Sequence, residues 1–457
     1  MSHLILLTLL LAAPRPVPAM TGGIRIHEDD DRRWARFVEG AGLDTVQVTF
    51  YADQLAWDGG EIEYWRAALD DWPGVEAEVR AARARGLQVM LVLRLKLDRT
   101  RPHNRFLWHG MVQPRDEATE AWFDAYRAFA LWGAARAAEM GVELLVIGHE
   151  LNSMTATTPL DRLPDLLHYH LDPERTGAVV QSRLRCAARA GASANLTTPD
   201  GATYPSLRAL LGAEDDAHRS WARQVSGLQS APPTWPAPMP PALAARRARY
   251  ARFWRELAAE LRTVYPGPLA YGANFDQYAE VDFWDAVDAI AISSYFPLRP
   301  YDTPDAQLDA RLELGWRRAA ASIEQVARRV HRPVVLHELG LSRKAGSTMR
   351  PYSYDGVEPI EREDGRPGSL ACVDWSSQPD DPTERTRALD ALLRVIEGGA
   401  FPSLRAVSLW KLTTEPVHRA HETFAVVLPP PYVERDADDD FVYLAGQLAE
   451  LLRAHAR

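Results

Sequence analysis

Beyond residue 20 the sequence alternates short runs of aliphatic and β-branched residues with longer runs whose apolar positions recur every three or four residues. This alternation constrains the fold more than any other feature. It predicts parallel strands joined by helical crossovers, because parallel neighbours need a connection long enough to return to the same end of the sheet. The strand-like runs are Gly23–His27, Thr45–Tyr51, Leu87–Leu95, Glu143–Gly148, Leu269–Ala273, Ala289–Tyr295, Pro333–His337 and Ala406–Trp410. Between them, Trp122–Met140 and Ala310–Val330 carry helical periodicity, Pro382-Thr383 opens a helix over Glu384–Glu397, and Phe441–His455 is the last. About eight strand–helix pairs in one chain favour an α/β ring closed on itself, a (β/α)8 or TIM barrel, over an open doubly wound sheet. No GxGxxG turn follows the first strand, which also argues against a dinucleotide fold.

A barrel with insertions accommodates 457 residues as one domain. The formal charge is −10 and no long Lys/Arg run occurs, so nucleic acid and anionic membrane are poor partners. Two cysteines, Cys186 and Cys372, make no disulfide framework; one bridge and two free thiols both remain open. No cofactor fingerprint or metal-ligand spacing is present. His168-Tyr169-His170 invites a metal reading but has no matching carboxylate.

Residues 4–13 form an apolar run too short to span a bilayer and of signal-peptide length, with small residues Ala13 and Ala19 after it. The expectation is a signal peptide over residues 1–20, a secreted or periplasmic protein, and a single catalytic domain over 21–457. No other segment resembles a membrane span. Two stretches break the alternation. Residues 156–240 follow the fourth strand and hold a Pro-rich run at Ala231–Pro241, and Ser342–Asp381 follows the seventh. Insertions after strands belong on the face of a barrel where catalysis occurs, and loops of such length are usually functional.

That face is where acidic residues ending apolar strands acquire meaning. Leu144-Leu145-Val146-Ile147-Gly148-His149-Glu150 places Glu150 at the end of strand four, and Pro333-Val334-Val335-Leu336-His337-Glu338 places Glu338 at the end of strand seven. A charge beside an apolar run is costly without a purpose. Either glutamate alone could simply pair with an arginine at the barrel mouth. Two together suit glycosidic cleavage, in which one carboxylic acid protonates the leaving oxygen and a second carboxylate attacks or activates water.

Several stretches resemble a known family. An acid on strand four and a nucleophile on strand seven is the plan of glycoside hydrolase clan A. Phe283 through Leu298 (FWDAVDAIAISSYFPL) resembles the sixth-strand region of glycoside hydrolase family 113, the β-mannanase family; Tyr271-Gly272-Ala273-Asn274-Phe275 resembles its fifth strand. Lys96-Leu97-Asp98, Trp108, Trp122-Phe123 and Tyr126 resemble its third-strand segment. The resemblance covers most of the barrel and neither insertion. It implies a retaining hydrolase of β-linked polysaccharide or oligosaccharide, with β-1,4-mannan as the substrate. Glu150 would be the acid/base with a raised pKa, and Glu338 the nucleophile held by hydrogen bonds. His149 departs from the asparagine that often precedes the acid, Asn152 lies two residues after it, and His337 and Leu341 also depart from the pattern.

Other strand-end residues are candidates for substrate binding. Tyr295 ends strand six, where a phenol would orient one oxygen of Glu338. Trp410 ends strand eight and offers a face to a sugar ring, and Trp108 would add a further subsite. Asn274 and Lys96 could bind sugar hydroxyls. His149 and Asn152 flank the acid. Against these stand plain readings: a core tyrosine, a packing tryptophan, solvated rim residues. Two competing functions follow, a non-catalytic carbohydrate-binding barrel and a metal-assisted hydrolase. The long insertion after strand four predicts a cleft closed at one end, with exo action or short substrates.

Overall fold

The computed structural model describes residues 14–156, 193–197, 203–206 and 241–455, apart from short stretches within them and scattered positions in 207–217. Eight parallel strands close a barrel: β1 (Met20–Arg25), β2 (Thr45–Gln54), β3 (Gln88–Leu97), β4 (Leu144–His149), β5 (Leu269–Asn274), β6 (Ala289–Ser293), β7 (Val334–Gly340) and β8 (Leu404–Thr413). Each pairs with its neighbour in sequence, and β1 pairs with both β2 and β8, which removes the sheet edges. All eight expected strands are present. Several run two or three residues further towards the functional face than their apolar runs do.

Seven helices of ten or more residues are described: α1 (Asp31–Gly40), α2 (Trp72–Ala84), α3 (Thr119–Met140), α4 (Pro241–Val264), α5 (Leu308–Val330), α6 (Pro382–Glu397) and α7 (Asp439–His455). Local chemistry sets their ends. Asp30 caps α1 by accepting from the amides of Arg32 and Arg33, and Asp381 caps α6 ahead of Pro382. Gly141 ends α3 in the left-handed conformation at φ 66°. The expected rhythm breaks once. Between β5 and β6 the chain makes only the short 3-10 turns Tyr278–Glu280 and Trp284–Ala286.

The core has two layers. Inside the barrel, Met20, Met90, Val92, Leu144, Val146, Val335 and four alanines pack together, and Val17 touches them from the N-terminal side. Outside, the other strand faces meet the helices. Every residue of β4 is buried, as expected for a parallel strand covered on both faces. Between β4, β5, α3 and α4 lies an aromatic wall of Trp122, Tyr126, Phe253, Trp254, Tyr271 and Phe283.

Both insertions leave the functional face. The first contains an antiparallel pair, Ser193–Thr197 with Thr203–Ser206; most of the rest of it, with His168, His170 and Cys186, lies outside the described residues. The second forms a hairpin, Val357–Glu361 with Leu370–Asp374, over its own small core of Met349, Ile360, Val373 and Trp375. No described helix is long and apolar enough to cross a membrane.

Candidate active site

The aromatic wall fixes the turn that carries Glu150. Beyond β4 the Glu150 amide donates to the Gly272 carbonyl at 2.7 Å, and the Leu151 amide donates to the Tyr271 hydroxyl at 3.0 Å. Trp254 Nε1 holds the Met154 carbonyl at 3.0 Å. Gly148 admits these rings, since a Cβ there would lie 2.9 Å from both Tyr126 and Tyr271. Glu150 itself has φ 48°, a left-handed conformation unusual for a residue with a side chain.

Glu338 is fixed from the end of β6 and, across the barrel mouth, from β3. Ser294 donates to its carbonyl twice, from the amide at 2.7 Å and from Oγ at 2.6 Å. Tyr295 Oη donates to carboxylate Oε2 at 2.7 Å, and the Arg94 guanidinium of β3 pairs with Oε1. Gly340 leaves space for the Tyr295 ring, which a Cβ would approach to 2.3 Å.

One imidazole lies between the glutamates. His149 Nε2 is 3.4 Å from Glu150 Oε2 and 3.4 Å from Glu338 Oε1. The two oxygens are therefore no farther apart than twice that distance. His109, from the loop after β3, brings its Nε2 to 3.5 Å from Glu150 Oε2. His337 packs edge-on against His149 with centroids 5.1 Å apart and reaches Ser293 Oγ at 3.3 Å.

Burial and charge act against each other here. Burial opposes the charge of Arg94, but Glu338, Tyr51 and Glu150 outweigh it and raise the guanidinium above its ordinary value. Burial, then Arg94, lowers His149 despite both glutamates. Burial, with His149 and Arg94, depresses His337 further. Burial and the two carboxylates hold the Tyr295 phenol well above its ordinary value, so it remains a donor. Burial tends to raise Glu150, yet His149 and His109 overcome it and hold the carboxyl well below the usual range. The raised value that the resemblance implies is thus not found beside these two histidines.

The site opens into a cavity of about 840 Å³ between β2 and β3, lined by Tyr51, Arg94, Lys96, Trp108 and His109 among others. Trp410 is half-buried, with the Arg94 guanidinium 5.0 Å and Lys411 Nζ 4.6 Å from its ring centroid. The Trp410–Lys411 peptide is cis.

Of the sequence candidates, Glu150, Glu338, Tyr295 and His149 form one contact network, and Trp410 joins it through Arg94. Trp108 stands edge-on to His109 at 4.9 Å, on the cavity wall. Lys96 lies on that wall too, but is exposed and paired with Asp53 at 3.2 Å. Asn274 turns its Oδ1 to the Phe275 amide at 2.8 Å, and Asn152 is buried at the start of the short helix Asn152–Ala156. Neither amide is brought to the carboxylates by a hydrogen bond among the described residues.

Sequence reasoning did not select Arg94, His109, Ser294, Tyr352 or Tyr354. Arg94 carried a usable signal, a lone charge inside the apolar run Val89–Leu95. Tyr352 and Tyr354 stand on the second insertion. Tyr352 stacks on Phe275 at 5.5 Å, while Tyr354 meets Phe424, which in turn meets Tyr295.

Residues 28–159 and 244–366, more than half of the chain and including both glutamates, match the family model described as Glycoside Hydrolase Family 113. Curated protein sequences gave no match. Among solved structures, a family 113 β-mannanase from Alicyclobacillus acidocaldarius in complex with ManMIm is similar with a TM-score of 0.55 at 16% identity, over 95% of this chain and 98% of that one. A family 113 β-1,4-mannanase solved as a complex is 15% identical with a TM-score of 0.55, over 94% of this chain and 99% of its own. At such identities these likenesses speak for the fold, and the family match carries the assignment. The chain belongs to glycoside hydrolase family 113 and is a glycoside hydrolase built on a (β/α)8 barrel.

Proposed function

We propose that this hydrolase cleaves β-1,4-linked mannan or manno-oligosaccharides with retention of anomeric configuration, Glu338 acting as nucleophile and Glu150 as acid/base. The observation that carries the reading is the shared contact of both carboxylates with His149 Nε2. It limits their separation to a range that includes the roughly 5–5.5 Å of retaining enzymes and reaches only the lower edge of the inverting range. Tyr295 and Arg94 support the role of Glu338, since both stabilise it as a carboxylate ready to attack.

Glu150 needs a proton before the first step. A sugar ring lying over it would displace water and part it from His109, and both changes raise a carboxyl pKa. The mannan assignment rests on the family 113 relatives, a β-mannanase and a β-1,4-mannanase. We also propose export, on the apolar run over residues 4–13; N-terminal sequencing of the mature protein checks it.

The test combines a panel of β-linked oligosaccharides with NMR of the first product anomer. Manno-oligosaccharides should yield the β-anomer first, and Glu150→Gln and Glu338→Gln should lose turnover. An α-anomer, or full activity in Glu338→Gln, would sink the mechanism; turnover confined to glucans or xylans would sink the substrate.

A further inference from the structure

We propose that His109, His149 and Glu150 form a binding site for one divalent cation of the zinc class, and that filling it stops hydrolysis. The second half rests on the acid/base role of Glu150 given above. The first half does not.

The geometry is that of a three-ligand site. His109 Nε2 and His149 Nε2 lie 3.5 and 3.4 Å from Glu150 Oε2, and all three atoms fall within 4.8 Å of one another. Zinc bonds of about 2.0–2.2 Å in a tetrahedron place neighbouring ligand atoms roughly 3.3–3.5 Å apart. Two edges of the triangle therefore already have the required length, and only the two histidines must close slightly. Two imidazoles and a carboxylate with an open fourth position are a known zinc donor set. Hard ions such as magnesium and calcium prefer oxygen alone.

Hydrogen bonding leaves the His109 nitrogen available, while His149 Nε2 already faces Glu150 Oε2. His109 Nε2 is buried and makes no aligned hydrogen bond among the described residues, although it points at the Glu150 oxygen. His109 also lines the 840 Å³ cavity, which gives an ion its entry path and the fourth position its water. A second triad, His149, His337 and Glu338, is less suited. Arg94 and Tyr295 already occupy the Glu338 oxygens, and His337 Nε2 turns to Ser293. The same Arg94–Glu338 pairing leaves the Glu150 charge to balance the cation.

A cation bound to Glu150 Oε2 holds the carboxyl in its ionised form, so it carries no proton for the leaving group. Metal and acid catalysis then exclude each other on this carboxylate.

The experiment is calorimetric titration of zinc chloride into the full chain, with magnesium chloride as control, for wild type, His109→Ala, His109→Gln and Glu150→Gln. Circular dichroism checks the fold of each variant. One zinc per chain is expected in wild type, weakened at least tenfold in each folded variant, with no magnesium uptake. Hydrolysis should fall in proportion to zinc occupancy and return with a chelator. Absence of saturable zinc binding, or binding unchanged in the His109 and Glu150 variants, overturns the site. If zinc binds through these residues and hydrolysis continues, the metal site stands and the acid/base assignment of Glu150 falls.

Discussion

Arg94 and Glu338 are 244 residues apart in the chain and meet as an ion pair at the barrel mouth, both almost wholly buried. Removing one partner of such a pair strands the other charge, at about 3–5 kcal/mol. Arg94→Gln is therefore expected to lose both stability and activity. Tyr295→Phe removes only one hydrogen bond to a charged group, worth about 1.5–3 kcal/mol, and leaves the ion pair intact. Urea unfolding should rank Arg94→Gln well below Tyr295→Phe, while kcat falls in both. Equal stability of the two variants would mean that the ion pair does not hold the site together.

In the role proposed for it, Glu150 supplies a proton only where the leaving group needs one. In Glu150→Gln, kcat/KM on unactivated oligosaccharides should drop by roughly 10²–10⁴, the usual range for loss of general acid catalysis. On a dinitrophenyl glycoside, whose leaving group departs as an anion, glycosylation should change far less. Equal losses on both substrates would assign Glu150 a role in binding instead.

Tyr352 and Tyr354 extend the aromatic surface away from the carboxylates, and both are well exposed. The Ser353 hydroxyl between them is fixed to Glu358 at 2.9 Å, so the loop presents its rings in a set position. Tyr354→Ala should raise KM for long oligosaccharides about tenfold, a loss of roughly 1.4 kcal/mol within the range of aromatic contacts. Turnover of a short aryl glycoside should stay near wild type. A change independent of substrate length would remove the loop from the binding surface.

Glu78, on α2, lies against Arg25 Nε at 3.1 Å. Burial nevertheless dominates and raises its pKa from 4.5 to about 7. An unfolded glutamate releases its proton near 4.5 and the folded one near 7, so stability is full below the lower value and declines as pH rises to the upper one. The total loss is on the order of 3 kcal/mol at 1.36 kcal/mol per unit. Glu78→Gln carries no such proton, so its stability relative to wild type should climb between pH 5 and pH 8. Parallel urea-denaturation profiles across that range would refute the shift.

The barrel was legible in the sequence because each strand is an apolar run, and period and length alone identify it. The glutamates were legible because a charge at the end of such a run has few reasons to be there. Arg94, a lone charge inside such a run, carries a signal of the same kind. His109 left no local sign: it opens the 3-10 turn His109–Met111 in the connection after β3, and only the packing of that turn over the end of β4 brings it to Glu150. Lys96 and Asn274 were at strand ends as read, yet satisfy themselves on Asp53 and the Phe275 amide. A polar side chain at a strand end has a nearby partner as readily as a distant ligand, and sequence spacing does not separate the two. The absent helix between β5 and β6 reflects a connection of 275–288 that two 3-10 turns suffice to complete.

The φ of 48° at Glu150 sets the scaffold against its chemistry. A left-handed conformation costs a residue with a Cβ about 1 kcal/mol and glycine almost nothing. Glycine at position 150 would relax the turn and remove a buried carboxylate at once. A library of variants of this chain screened only for heat resistance would thus be drawn towards members without the proposed acid/base, and retaining a glutamate there requires selecting for turnover in every round.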